Sequence, residues 1–121
     1  IPCGLSGVET HLPLTYSEGR ARGFPPERLA ALLSGAPARI WGLSPRKGFV
    51  AVGAGADLVL FDPERTWIVS AKGLHSTTDL SPYEGRRVRG AVVRTLVRGR
   101  TVWADGASVE APGWGQFVRT A

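Results

Sequence analysis

Apolar and polar positions change rhythm near residue 48 of this chain. Before that point the pattern is helical and punctuated by Pro and Gly; after it, short β-rich runs dominate. The spacing predicts a first helix from about Leu12 to Arg22. Pro13 fits its first turn, where a missing N–H is harmless. Arg20 and Arg22 suit the negative end of the helix dipole, and Gly23 is the stop. A second helix begins near Pro25-Pro26-Glu27. Leu29, Leu32 and Leu33 stand at i, i+3 and i+4 and make one apolar face, and Gly35 is expected to end it. A third, short helix is expected over Ala36–Trp41, with Gly42 after it.

Beyond Gly48 the period shortens. Leu58 to Phe61 is a continuous apolar run bounded by Asp57 and Asp62, which suits a strand buried on both faces. Pro63 is expected to break it, and Thr66–Val69 makes another short strand. Residues 70–87 read as irregular. The clearest hairpin joins Val92–Val97 to Thr101–Ala104 through Arg98-Gly99-Arg100, where Gly99 can take the positive φ of a tight turn. Asp105-Gly106 is a second turn signal, and Pro112-Gly113-Trp114-Gly115 is an extended tail docked by its tryptophan. Three short helices and about five strands share no evident layer pattern. Trp41, Trp67, Trp103 and Trp114 all imply packing partners.

Composition adds three constraints. With 43% hydrophobic and 21% charged residues, the chain is globular rather than disordered. It contains no methionine and begins Ile1-Pro2-Cys3-Gly4, which reads as a truncated or processed polypeptide. A single cysteine forms no intrachain disulfide, so a reducing, cytoplasmic compartment is the expectation. No signal peptide is visible, and no apolar run approaches the ~20 residues that span a bilayer.

The net charge of +5 comes almost wholly from arginine, and six arginines fall between Arg86 and Arg100. They read either as a phosphate-binding stripe or as the solvated face and loop ends of a β-hairpin. Arg94 and Arg98 alternate with apolar neighbours, and no aromatic platform accompanies them, which favours the hairpin face.

Candidate chemistry is sparse. His11 and His75 lie far apart, and neither belongs to a His-x-His or His-x-x-x-His pair, so the expected roles are a helix flank and a polar loop. Cys3 lacks a histidine in a recognisable partner motif and reads as a small loop residue rather than a nucleophile. Asp57 and Asp62 bracket a strand and suit turns or caps better than a catalytic pair. The glycines at 53 and 55 lack phosphate-loop spacing. The residues alone describe a basic α+β piece with no catalytic centre.

The order of segments says more. Cys3-Gly4-Leu5-Ser6-Gly7-Val8-Glu9 leading to Leu12-Pro13-Leu14, the helix Ala36-Pro37-Ala38 to Gly42-Leu43, and Pro45-Arg46-Lys47-Gly48 followed by Ala56-Asp57-Leu58-Val59 together resemble the cyclic amidohydrolases. So do Leu74-His75-Ser76 with Ser81-Pro82-Tyr83-Glu84-Gly85, the hairpin Val97–Val102, and the tail Pro112–Gly115. Ala36 replaces the usual Asn of the second motif. That family contains dihydroorotase, dihydropyrimidinase or hydantoinase, and allantoinase.

The resemblance implies an α/β fold: residues 1–47 as the end of a metal-dependent-hydrolase (β/α)8 barrel, and residues 48–121 as the C-terminal part of a small β-sandwich with its tail. Such a piece is incomplete as a stand-alone fold. The resemblance further implies a hydrolase of C–N bonds in cyclic amides or ureides. It implies a binuclear zinc centre whose ligands precede Ile1, and a homo-oligomer, dimer or tetramer. On this reading the chain by itself is inactive, and it binds neither membrane nor nucleic acid. Cys3 and Gly4 stand where relatives read the substrate ring with backbone N–H and C=O groups. A lid hinge is the alternative role for this pair, and a non-catalytic homologue or a basic module that binds nucleic acid or another polyanion is the alternative for the whole.

Overall fold

The computed structural model describes residues 4–110 and 112–120. Helix α1 is Val8–Ala21; a continuous helical run follows as α2 (Pro26–Ala30), a π-helical turn (Ala31–Gly35) and α3 (Ala36–Ile40). Strand β1 is Leu58–Ile68, β2 is Arg87–Val97, β3 is Arg100–Ala104 and β4 is Ala107–Ser108. They form one sheet in the order β1-β2-β3-β4, with β2/β3 and β3/β4 antiparallel.

Three details differ from the sequence expectation, each for a local reason. Helix α1 begins four residues before Leu12, so Pro13 lies inside it. Gly7 is its N-cap residue without a side-chain cap, and Glu9 supplies the first-turn acid. Gly35 does not stop the second helix but keeps φ −64°, ψ −43°. Pro37 has no N–H and its ring crowds the carbonyl four residues back, and the π turn just before it is where the helix absorbs that conflict. Pro63 does not break β1, because β1 is an edge strand of the sheet and an edge N–H is dispensable. Leu58–Phe61 is consequently not buried on both faces: Val59 and Leu60 are exposed and their neighbours half-buried.

The chain divides into two compact units. The first comprises residues up to Phe24 with Asp62–Ala91; the second comprises Pro25–Phe61 with residues from Val92 on. In the first unit Leu14, Val69 and Val88 form the buried cluster, and Trp67 and Leu74 pack against it. The Trp67 indole N–H donates to the Gly90 carbonyl at 3.1 Å, so its polar edge is satisfied. Helix α1 ends in a Schellman motif: Phe24 N–H reaches Gly19 O at 2.9 Å and Gly23 N–H reaches Arg20 O at 3.0 Å, with Gly23 at φ +82°.

In the second unit the loop after α3 returns onto the helix at its small residues. Gly48 sits at φ +94°, and a Cβ there would lie 2.4 Å from the Ala38 Cβ. Ser34 Oγ donates to Gly48 O at 3.2 Å. The Asp57 carboxylate ion-pairs with Lys47 and accepts the Arg98 backbone N–H at 2.7 Å. The β2–β3 hairpin turns through Arg98 (φ 49°) and Gly99 (φ 78°), the two positive values of a type I′ turn. Trp114 is clasped there: its N–H donates to Val97 O at 3.0 Å, and the Arg98 and Arg100 guanidinium groups lie 4.3 and 4.8 Å from its ring centroid.

Candidate functional site

The first unit carries the segment that sequence reasoning singled out. Cys3 lies outside the described residues; Gly4 is exposed and begins the loop that leads into α1. A Cβ built on Gly4 or Gly7 would meet no atom within 4 Å, so both face open space. The loop lines a depression of about 460 Å³, with Gly4 to Val8 on one side and Thr78 and Leu80 on the other. A smaller hollow of about 260 Å³ lies among Ser6, Val8 to Thr10, and Leu74 to Ser76.

Two connections join these sides. Ser6 Oγ and Ser76 Oγ are 2.7 Å apart. The Glu9 carboxylate accepts the His75 backbone N–H at 2.8 Å with one oxygen and meets His75 Nδ1 at 2.9 Å with the other. The facing segment also orders itself: Thr78 N–H donates to Ser76 Oγ at 3.3 Å and Leu80 N–H to Thr78 Oγ1 at 3.2 Å. On the loop side, Thr10 is buried in the first turn of α1 and donates its hydroxyl to Gly7 O at 3.3 Å. The Glu9 and His75 side chains are 41% and 57% exposed, a setting in which such pairs contribute about 0–1 kcal/mol to stability. The pair is therefore poorly placed to hold the fold together and well placed to set the position of two loops.

Sequence reasoning missed this pairing, because Glu9 and His75 are 66 residues apart and no local periodicity connects them. The signal was present in another form, since Glu9 and His75 each belong to a resemblance motif. His11 lies within α1 and is exposed, while His75 faces a carboxylate. Asp62 serves as a turn acceptor: its Oδ1 takes the N–H groups of Glu64 and Arg65 at 2.9 and 3.2 Å. Among the described residues no three His, Cys, Asp or Glu side chains converge, so these residues do not fit a metal centre. None of the described helices is long and apolar enough to cross a membrane.

The arginines are largely spoken for. In the first unit Arg86 pairs with Glu18, and Arg89 reaches both oxygens of Glu64, at 2.6 Å and 2.5 Å, which raises its pKa. In the second, Arg98 donates to Trp114 O at 2.6 Å, and Arg100 pairs with Glu110. Arg87 and Arg94 point outward from β2, alternating with more buried neighbours.

The chain belongs to the amidohydrolase family, whose sequence profile matches residues 2–102. It is 43% identical over 119 residues to D-phenylhydantoinase of Escherichia coli (strain K12 / DH10B), covering 98% of this chain and 26% of that protein. A solved D-hydantoinase superposes with TM-score 0.92 at 35% identity, over 98% of this chain and 26% of the other. The D-hydantoinase (dihydropyrimidinase) from Thermus sp. gives TM-score 0.89 at 37% identity, over 96% and 26%. The L-hydantoinase (dihydropyrimidinase) from Arthrobacter aurescens gives 0.88 at 37% identity, over 94% and 26%. The chain thus spans about a quarter of the length of the relatives it matches.

Proposed function

We propose that the whole protein is a metal-dependent hydrolase that opens the C–N bond of a cyclic amide or ureide. On this reading residues 1–47 close its barrel and residues 48–121 complete its β-sandwich. The observation that carries this is the loop from Gly4 to Gly7, which lines a depression and whose two glycines leave open space where a Cβ would stand. A ring with an imide edge offers an N–H donor flanked by C=O acceptors, and on this reading the backbone N–H and C=O groups of the loop beginning at Cys3 and Gly4 read that edge. Loops at the C-terminal face of a barrel are where such recognition occurs. The relatives' names, hydantoinase and dihydropyrimidinase, point to five- and six-membered ureide rings as the substrate class.

The hydrolytic metal, two zinc ions on this reading, is held by residues other than the described ones, which supply no donor set for it. Such a metal would supply Lewis-acid activation of a water toward a ring carbonyl. The chain's own contribution is to hold the ring by its amide edge. The enzyme is expected in the cytoplasm as a homo-oligomer.

The test is an assay of the purified whole protein with hydantoin, phenylhydantoin, dihydrouracil, dihydroorotate and allantoin, alongside metal analysis. Ring opening of at least one, lost on chelation and restored by zinc, is the expected result. Absence of ring opening for all five with metal bound would overturn the proposal.

A further inference from the structure

The 74–80 segment has a role that the proposed function does not assign. It touches the loop on both sides of Gly7. Ser76 meets Ser6 before it, and His75 meets Glu9 after it, with hydrogen-bond distances of 2.7, 2.8 and 2.9 Å. The Glu9 contact is two-pronged, one oxygen on a backbone N–H and one on a ring nitrogen. Two-pronged contacts fix orientation as well as distance. Beyond the Thr10 hydroxyl on the Gly7 carbonyl, the helix start has no side-chain cap, and an added Cβ on Gly7, between the anchors, or on Gly4, before them, would meet nothing within 4 Å.

We infer that Glu9 and His75, with Ser6 and Ser76, form a latch that positions the Gly4–Gly7 backbone for substrate; they are positioning residues, not catalytic ones. The inference rests on the reading of this loop as the substrate loop. A backbone that must meet a ring's amide edge at hydrogen-bond distance tolerates little drift, since misplacement by about 1 Å costs on the order of a hundredfold in rate. The Glu9 side chain is the natural keystone, because it engages both the backbone and the side chain of His75.

The test uses the whole protein with Glu9→Ala, His75→Ala, His75→Asn and the double variant Glu9→Ala/His75→Ala. Hydrogen exchange is read at the amides of residues 5–8 and at His75, and kcat and KM are read on whichever cyclic amide the wild type opens. Glu9→Ala is expected to speed exchange at those amides and to lower kcat/KM by roughly tenfold to a hundredfold. The thermal midpoint should stay close to wild type. His75→Ala, which keeps the backbone arm, should lose less. The double variant should resemble Glu9→Ala alone, because both changes break one connection. His75→Asn, whose side-chain N–H can stand in for the ring Nδ1–H, should recover most of the loss.

Unchanged exchange at residues 5–8 in Glu9→Ala, or losses that simply add in the double variant, would overturn the latch. Faster exchange with unchanged kinetics would keep the latch and overturn the assignment of the loop to substrate. The two failures are thereby distinguishable.

Discussion

Gly48 shows how one residue sets the approach of a loop to a helix. Its φ of +94° is a conformation that side chains avoid, and its missing Cβ leaves room for the Ala38 methyl, which would otherwise lie 2.4 Å away. The neighbouring contact is built alike: a Cβ on Gly35 would stand 3.1 Å from the Phe49 ring, and the Arg39 guanidinium lies 5.4 Å from that ring's centroid. Backbone strain and overpacking each cost about 1–3 kcal/mol, so Gly48→Ala should destabilise the whole protein by about 2–6 kcal/mol. Denaturant unfolding measures this. A loss under about 0.5 kcal/mol, the range of an ordinary surface substitution, would mean the loop relaxes away from α3 at no cost. Gly48 was legible in the sequence as part of an ordered motif, but its reason was not, because the methyl it avoids belongs to Ala38, ten positions back.

At the scale of elements, Asp57 couples the loop before β1 to the turn of the β2–β3 hairpin. The hydrogen bond from Lys47 lowers its pKa from the ordinary 3.8, burial opposes this, and the Arg98 N–H lowers it further. The folded-state pKa is therefore below the unfolded one. The carboxylate's contribution is present in full above the unfolded value of about 3.9 and is lost as pH falls through the folded value. Asp57→Asn should thus be less stable than wild type at pH 7, and the difference between them should shrink as pH drops below about 4. Paired denaturation curves at pH 7 and in acid measure it; a difference independent of pH would show that the charge is not what holds the turn. The hairpin itself was readable in the sequence, since Gly99 and Asp105-Gly106 are local turn chemistry and alternate positions show the strand period. β1 was not, because its continuity through Pro63 depends on being at the sheet edge. The π turn was hidden for a similar reason: Gly35 looks like a stop until Pro37 is counted as a residue the helix goes around. Of the candidate site, the sequence motif singled out Gly4 together with Cys3, which lies outside the described residues. The contact between Glu9 and His75 was not, because only the fold brings them together.

For the whole molecule, the decisive quantity is how little apolar surface these residues bury by themselves. Among the described residues the buried apolar set is Leu14, Leu29, Ala38, Val69, Ala71 and Val88, of which Leu14, Val69 and Val88 form a cluster. Ile40, Trp41 and Val50 are 77%, 68% and 88% exposed, and Val59, Leu60 and Ile68 are exposed along β1. Ordering each residue costs about 1–2 kcal/mol of backbone entropy, and a small scattered core is a weak counterweight. Exposed large side chains of this kind mark surfaces that want covering. The 121 residues expressed alone should therefore melt without a sharp transition and bind a hydrophobic dye, while the same residues within the whole protein should resist both. Calorimetry with dye titration decides between these outcomes. A sharp, dye-free transition for the isolated chain would mean that its two units suffice for folding, and that the exposed apolar residues serve association between finished proteins rather than completion of one.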